Sequence, residues 1–154
     1  MSMVGRLRTL RPEINMPVTS DELILERGRH MPNRFILPDD VVHTRSGQCY
    51  GNAWTMRNRR RTQNLRYCEG YVGFDRLPIP IHHGWLLNDN DEVVDPSVDQ
   101  LENATYYGVE YKTDFALSAW LELKKARLIG IMPNLYMLRK TITTNDFLEG
   151  LVKL

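Results

Sequence analysis

An α+β fold is what this sequence predicts: a helix that carries a cysteine, packed on an antiparallel sheet. Three observations predict it. From Cys49 to Arg61 the chain has no proline, and its only glycine, Gly51, lies in the first turn. Ala53, Trp54, Met56 and Arg57 suit a helix there, placed at about 49 to 62. Next come "LRYCEGYVGF", "IPIHHGWLLN" and "EVVDPSV", rich in aromatic and β-branched residues and separated by "DRLP" and "DND". They read as consecutive antiparallel strands. Finally, "TDFALSAWLELKKARL" has apolar residues at 115, 117, 120, 121 and 123, with Lys124, Lys125 and Arg127 late, as an amphipathic helix requires.

The remaining elements follow in order. Residues 1 to about 40 are polar, with prolines at 12, 17, 32 and 38, and are expected to form an arm or lid. Their one good helical stretch is "SDELILERGRH", with Ser20 as the expected cap and Asp21 and Glu22 in the first turn. Residues 41–154 are expected to form one domain. "YYGVEY" at 106–111 is expected to add a fourth strand, and Thr113 or Asp114 to cap the helix after it. "IMPNLYMLRKTI" reads as a strand or loop, and "TNDFLEGLVKL" as a short C-terminal helix.

Bulk properties exclude several classes of function. With 154 residues, 42% hydrophobic and 25% charged, the chain is an ordinary globular domain with enough length to bury a core. The 20 basic and 19 acidic residues leave a net charge of +1, so no global attraction to nucleic acid or anionic lipid is implied. No run approaches the ~20 apolar residues of a membrane span, and the N-terminus lacks a signal-peptide core. A cytoplasmic location is expected, with Cys49 and Cys68 as reduced thiols.

Cys49 raises the question of chemistry. At a helix start, unpaired backbone N–H groups and the positive end of the helix dipole favour a thiolate, the form that attacks carbonyls. Acyl chemistry then needs a histidine to hold and return the proton, and a polar group to orient the imidazole. His30 and His43 lie in polar surroundings before the cysteine. In the strand, Ile79, Ile81, His83, Trp85 and Leu87 share one face, while Pro80, His82 and Leu86 share the other. A histidine on an apolar face is commonly a hydrogen-bonded core residue. Asp95 shares a face with Val93 in the next strand, and a hairpin through "NDNDE" would set it beside His83. The plain reading of Asp95 is a turn residue before Pro96.

Gly47-Gln48-Cys49-Tyr50, with Ala53 one turn on, resembles the transglutaminase-core motif in which Gly-Gln-Cys and an aromatic open the helix. His83-Gly84-Trp85 resembles that family's His-x-Trp strand, Asp95-Pro96-Ser97 its Asp-Pro-Thr, and Glu69-Gly70-Tyr71 fits the glycine-containing strand before the histidine. The resemblance spans roughly residues 45 to 110. It implies a core related to papain-like cysteine proteases, with Cys49 as nucleophile, His83 as general base and acid, and Asp95 as the orienting group. The implied activity cleaves, deamidates or transfers acyl groups at amide bonds through a thioester, on a protein or peptide, without metal or organic cofactor. The Cys49 backbone N–H and the Gln48 side chain are the expected oxyanion donors. Trp54, Trp85 and Trp120 read most economically as core residues, with walling of the substrate site as a second role for Trp85.

A rival reading rests on "RNRRRTQNLR". Arg57, Arg59, Arg60 and Arg61 form the strongest charge cluster, and nearby tyrosines could stack bases, as a nucleic-acid-binding module would need. A solvated helix end, which the dipole favours, is the preferred explanation of the arginines, and recruitment of an acidic substrate to the thiol is a third. The cysteines and histidines lack metal-ligand spacing, and "NDNDE" lacks the glycine and final glutamate of a calcium loop. No metal is expected. Cys68, sharing a face with Gly70 and Val72, reads as a buried structural thiol.

Overall fold

The computed structural model describes residues 19–32, 48–60, 64–98, 103–138 and 149–152. Helices α1 (Ser20–Arg27) and α2 (Cys49–Arg59) frame a short strand β1 (Arg29–His30) in chain order, and β2 (Arg66–Phe74), β3 (Ile81–Leu87), β4 (Val93–Val94) and β5 (Ala104–Glu110) follow. Helix α3 (Thr113–Lys125), a 3-10 turn (Met132–Asn134) and α4 (Leu135–Leu138) close the series. The strands form one sheet in the order β1-β5-β2-β3-β4, antiparallel throughout. This is the mixed helix and antiparallel-sheet architecture the sequence predicts.

The sheet buries both faces. Tyr67, Leu86, Val94 and Val109 pack against Ala53 and Met56 of α2 and Ala116, Ala119 and Leu123 of α3. Cys68, Val72, Trp85, Leu87, Val93 and Tyr106 build a second core on the other face. Alternation along β3 therefore holds as expected from His83 to Leu87. Ile79 and Ile81, placed on the same face from sequence, are instead exposed at the strand's open end.

Of the expected N-terminal arm, residues 19–32 are integral to this unit. Leu23 and Ile24 enter the helix-side core, β1 pairs with β5, and Met31 is buried beneath Trp85. A division at residue 40 does not separate them from the sheet. Thr19, not Ser20, caps α1: its Oγ1 accepts from the Glu22 N–H at 3.2 Å, and Glu22 Oε2 accepts from the Thr19 N–H at 2.9 Å. That reciprocal pair satisfies two orphan donors, which a cap one residue later could not arrange with Glu22.

Helix α2 ends at Arg59, short of the expected 62, and α3 ends at Lys125. Thr113 and Asp114 are inside α3, whose N-cap is Lys112 with no side-chain bond. The "IMPNLYM" segment is helical, because Pro133 supplies a fixed φ at the start of a 3-10 turn. The expected C-terminal helix lies largely outside the described residues, and within them Leu151 bridges to Tyr111. The β3–β4 hairpin turns on Asn88, whose Oδ1 accepts from the Asn90 and Glu92 N–H groups. No described helix is long and apolar enough to cross a membrane.

Candidate active site

Cys49 is the first residue of α2 and is half-buried. Gln48 precedes it as N-cap with φ −120° and ψ 44°, and its side chain makes no capping bond. The amides of the first turn thus carry no bond from the N-cap side chain. Tyr50 fixes where that turn sits. Its ring lies over Gly84 of β3, where any Cβ would come within 2.7 Å of Tyr50 Cδ1. A glycine beside His83 is what lets the helix start approach the strand so closely.

Strand β3 presents His83 on the face opposite the one α2 covers. The thiol and imidazole meet because the β3–β4 ladder spans only Leu86–Val94 and Leu87–Val93, which leaves the flank of β3 at His83 to the first turn of α2. His83 bonds through Nε2 to Asp95 Oδ2 at 2.6 Å, and the Cys49 side chain is near enough to help raise the imidazole pKa. With Nε2 engaged, Nδ1 is the ring nitrogen left to face the sulfur.

Asp95 is wholly buried and its oxygens are fully engaged. Oδ2 also accepts from Tyr106 Oη at 2.7 Å, and Oδ1 accepts from the Ser97 N–H at 2.9 Å. The latter bond is the Asx turn expected of Asp-Pro, so the plain and the chemical readings of Asp95 coexist in one side chain. Asn52, one turn after Cys49, donates to Ser97 Oγ at 3.0 Å and so ties α2 to the Asp95 turn. Burial works against a charge on His83, but the hydrogen bonds to Asp95 and Cys49 and their negative charge outweigh it. The imidazole pKa rises from 6.5 to about 9.

Trp85 is in the core. It is 0% exposed and stacks against the His83 ring at 6.3 Å, with its Nε1 turned to Met31 Sδ at 3.1 Å. A side chain so enclosed supports the imidazole and presents no surface as a wall of the site. Gln48 is exposed beside the thiol, where its amide is free to turn toward a bound carbonyl. Cys68 is buried in the second core, and burial pushes its thiol pKa well up, as a structural cysteine requires. Neither cysteine is in a disulfide.

The arginine cluster is dispersed among the described residues. Arg57 folds back over the Trp54 ring at 5.1 Å, Arg59 is exposed, and Arg60 closes α2. Arg66 engages Glu110 at 3.0 Å together with Asp91. Gly47, His43 and Arg61 lie outside the described residues. His82 faces Asp21 at the surface at 3.3 Å.

Tyr106 and Asn52 are not singled out by sequence, and Ser97 only as the end of the Asp95-Pro96-Ser97 motif. Tyr106 carries the largest consequence, since it shares the Asp95 oxygen that orients His83. Tyr106→Phe is expected to cost about 1.5–3 kcal/mol, the loss of a buried hydrogen bond to a charged acceptor, measured by urea unfolding.

No protein-family model, curated protein or solved structure matches the chain, so what the site does is argued from its own chemistry.

Proposed function

We propose that the protein is a cysteine-dependent amide hydrolase or acyltransferase on a transglutaminase-like core, acting on a protein or peptide. The observation that carries this reading is the imidazole of His83, bonded to buried Asp95 and raised in pKa in part by the nearby half-exposed thiol at a helix start.

The chemistry follows from that geometry. His83 takes the Cys49 proton, and Asp95 stabilises the imidazolium that results. The sulfur attacks the carbonyl carbon, and the developing oxyanion is met by the Cys49 backbone N–H and the Gln48 amide. Collapse breaks the C–N bond, and His83 returns its proton to the departing amine or ammonia. A thioester remains on Cys49. Water, activated by His83, completes hydrolysis or deamidation; an amine in the same position completes acyl transfer. No step calls on a metal or organic cofactor, and a reducing, cytoplasmic setting would keep both thiols free for it.

The rival, a module that binds nucleic acid through Arg57, Arg59, Arg60 and Arg61, draws less support, because Arg57 is occupied by Trp54. The deciding experiment incubates the protein with a library of glutamine-containing and other peptides, quenches in acid and measures intact mass. An acyl adduct on Cys49, absent in Cys49→Ala, is the expected result. An adduct-free protein that shifts RNA or DNA in a salt-sensitive way, with or without Cys49, would favour the rival.

A further inference from the structure

One fully enclosed carboxylate among the described residues, Glu69, lies outside the proposed triad. Glu69 of β2 is fully buried and accepts four hydrogen bonds. Its Oε1 takes Tyr67 Oη at 2.6 Å and the Ile131 N–H at 2.6 Å, and its Oε2 takes the Met132 N–H at 2.6 Å and Tyr111 Oη at 3.4 Å. Two of these donors are backbone amides of the turn that follows α3, reached across 62 and 63 residues of chain. A charged acceptor in an apolar interior is costly unless its lone pairs are matched, and here both oxygens are.

The turn that Glu69 holds bears on the thiol. Gly130, next to Ile131, has φ +87°, and a Cβ there would lie 3.1 Å from the Tyr50 ring. On its other side the same ring lies over Gly84, the cross-strand partner of Glu69. Tyr50 is therefore clamped between β3 and the 130–132 turn, and it is covalently next to Cys49. The geometry points to Glu69 as a positioning residue: by holding the Ile131 and Met132 amides it locks Tyr50 against Gly84 and so sets the Cys49 thiol against His83.

The role calls for a carboxylate in particular. Each oxygen faces one backbone N–H, and backbone donors cannot turn away. A glutamine in the same place would aim its NH₂ at one of the two amides in either orientation, leaving a buried donor unmet. Burial raises the Glu69 pKa to about 7, even though Tyr67, the two amides and Tyr111 all favour its charged form. Tyr50 is the further titratable group facing it from α2.

The inference rests on the proposed thiol chemistry, and the test keeps the two apart. Iodoacetamide alkylation of Cys49 is followed by peptide mass spectrometry from pH 5 to 9 in wild type, Glu69→Gln and His83→Ala. Circular dichroism selects a temperature at which each remains folded. The expected result is that Glu69→Gln slows Cys49 alkylation severalfold at pH 8, where the Glu69 carboxyl is ionised and accepts from both amides. Its pH profile should move toward that of His83→Ala, while amide exchange at Ile131 and Met132 quickens. A folded Glu69→Gln with the wild-type rate, beside a slowed His83→Ala, overturns the role of Glu69 and leaves the thiol chemistry standing. An unaffected His83→Ala sinks both. If Glu69→Gln does not fold, Gly130→Ala decides, because it presses on Tyr50 from the same turn: a slowed Cys49 supports the linkage, and a wild-type rate refutes it.

Discussion

His83→Ala is expected to leave Cys49 nearly inert at pH 6. Alanine removes both the base that takes the thiol proton and the positive charge that Asp95 holds beside the sulfur. Alkylation should slow by roughly 10- to 100-fold. Adduct formation with a peptide should fall further, by about 10²–10⁴-fold, because the leaving amine also loses its proton donor. Stopped-flow alkylation against pH reads the first effect, and single-turnover mass spectrometry the second. Cys68, buried in the second core, is the internal control. A Cys49 that reacts at the same rate with and without His83 would mean that the nearby imidazole does no chemistry.

Asp95→Ala should be the most damaging substitution to stability. It removes the acceptor of His83, Tyr106 Oη and the Ser97 N–H from a site with 0% exposure, and nothing else described replaces it. Breaking one side of such a buried pair costs about 3–5 kcal/mol, which for a chain of this size lowers Tm by roughly 10 °C. The effect depends on pH, and its sign follows from His83. The folded imidazole pKa is raised from 6.5 to about 9, so the pair's contribution is complete below pH 6.5 and disappears as pH rises through 9. That difference is on the order of 3 kcal/mol, and in the wild type it should appear as lower stability at pH 10 than at pH 6. Urea unfolding at the two pH values, with Asp95→Ala in parallel, checks both statements: the variant should lose this pH dependence. A wild type equally stable at both would show that the pair carries no charge worth counting.

What the sequence made legible is what depends on neighbours along the chain. Alternation placed His83, Trp85 and Leu87 on one face, and the short hairpin after Leu87 placed Asp95 beside them. The order of residues around Cys49 marked a helix start. Features that depend on distant partners escaped. Strand β1 is two residues long and exists only because Arg29 and His30 align with Gly108 and Tyr107. Tyr106 reads as an ordinary aromatic of a strand until β5 is known to lie within reach of Asp95. Glu69 stands out in the sequence only as part of the Glu69-Gly70-Tyr71 strand, and its partners in the 131–132 turn cannot be anticipated when that turn itself looks like a strand or loop. The caps failed by one residue for a local reason: Thr19 and Ser20 are both good caps, and only the partnership with Glu22 decides between them.

The order β1-β5-β2-β3-β4 also fixes the sequence of events at birth. The hairpins of β2, β3 and β4 can pair as soon as they emerge, but β1 pairs with β5 alone, whose residues begin at Ala104. At a synthesis rate of ~5–20 residues per second, the α1–β1 unit waits for several seconds with Leu23, Ile24 and Met31 uncovered. Completion of the sheet is therefore a late, long-range closure in which the last-made central strand collects the first-made edge, and the nascent chain is most exposed to chaperones and proteases just before it.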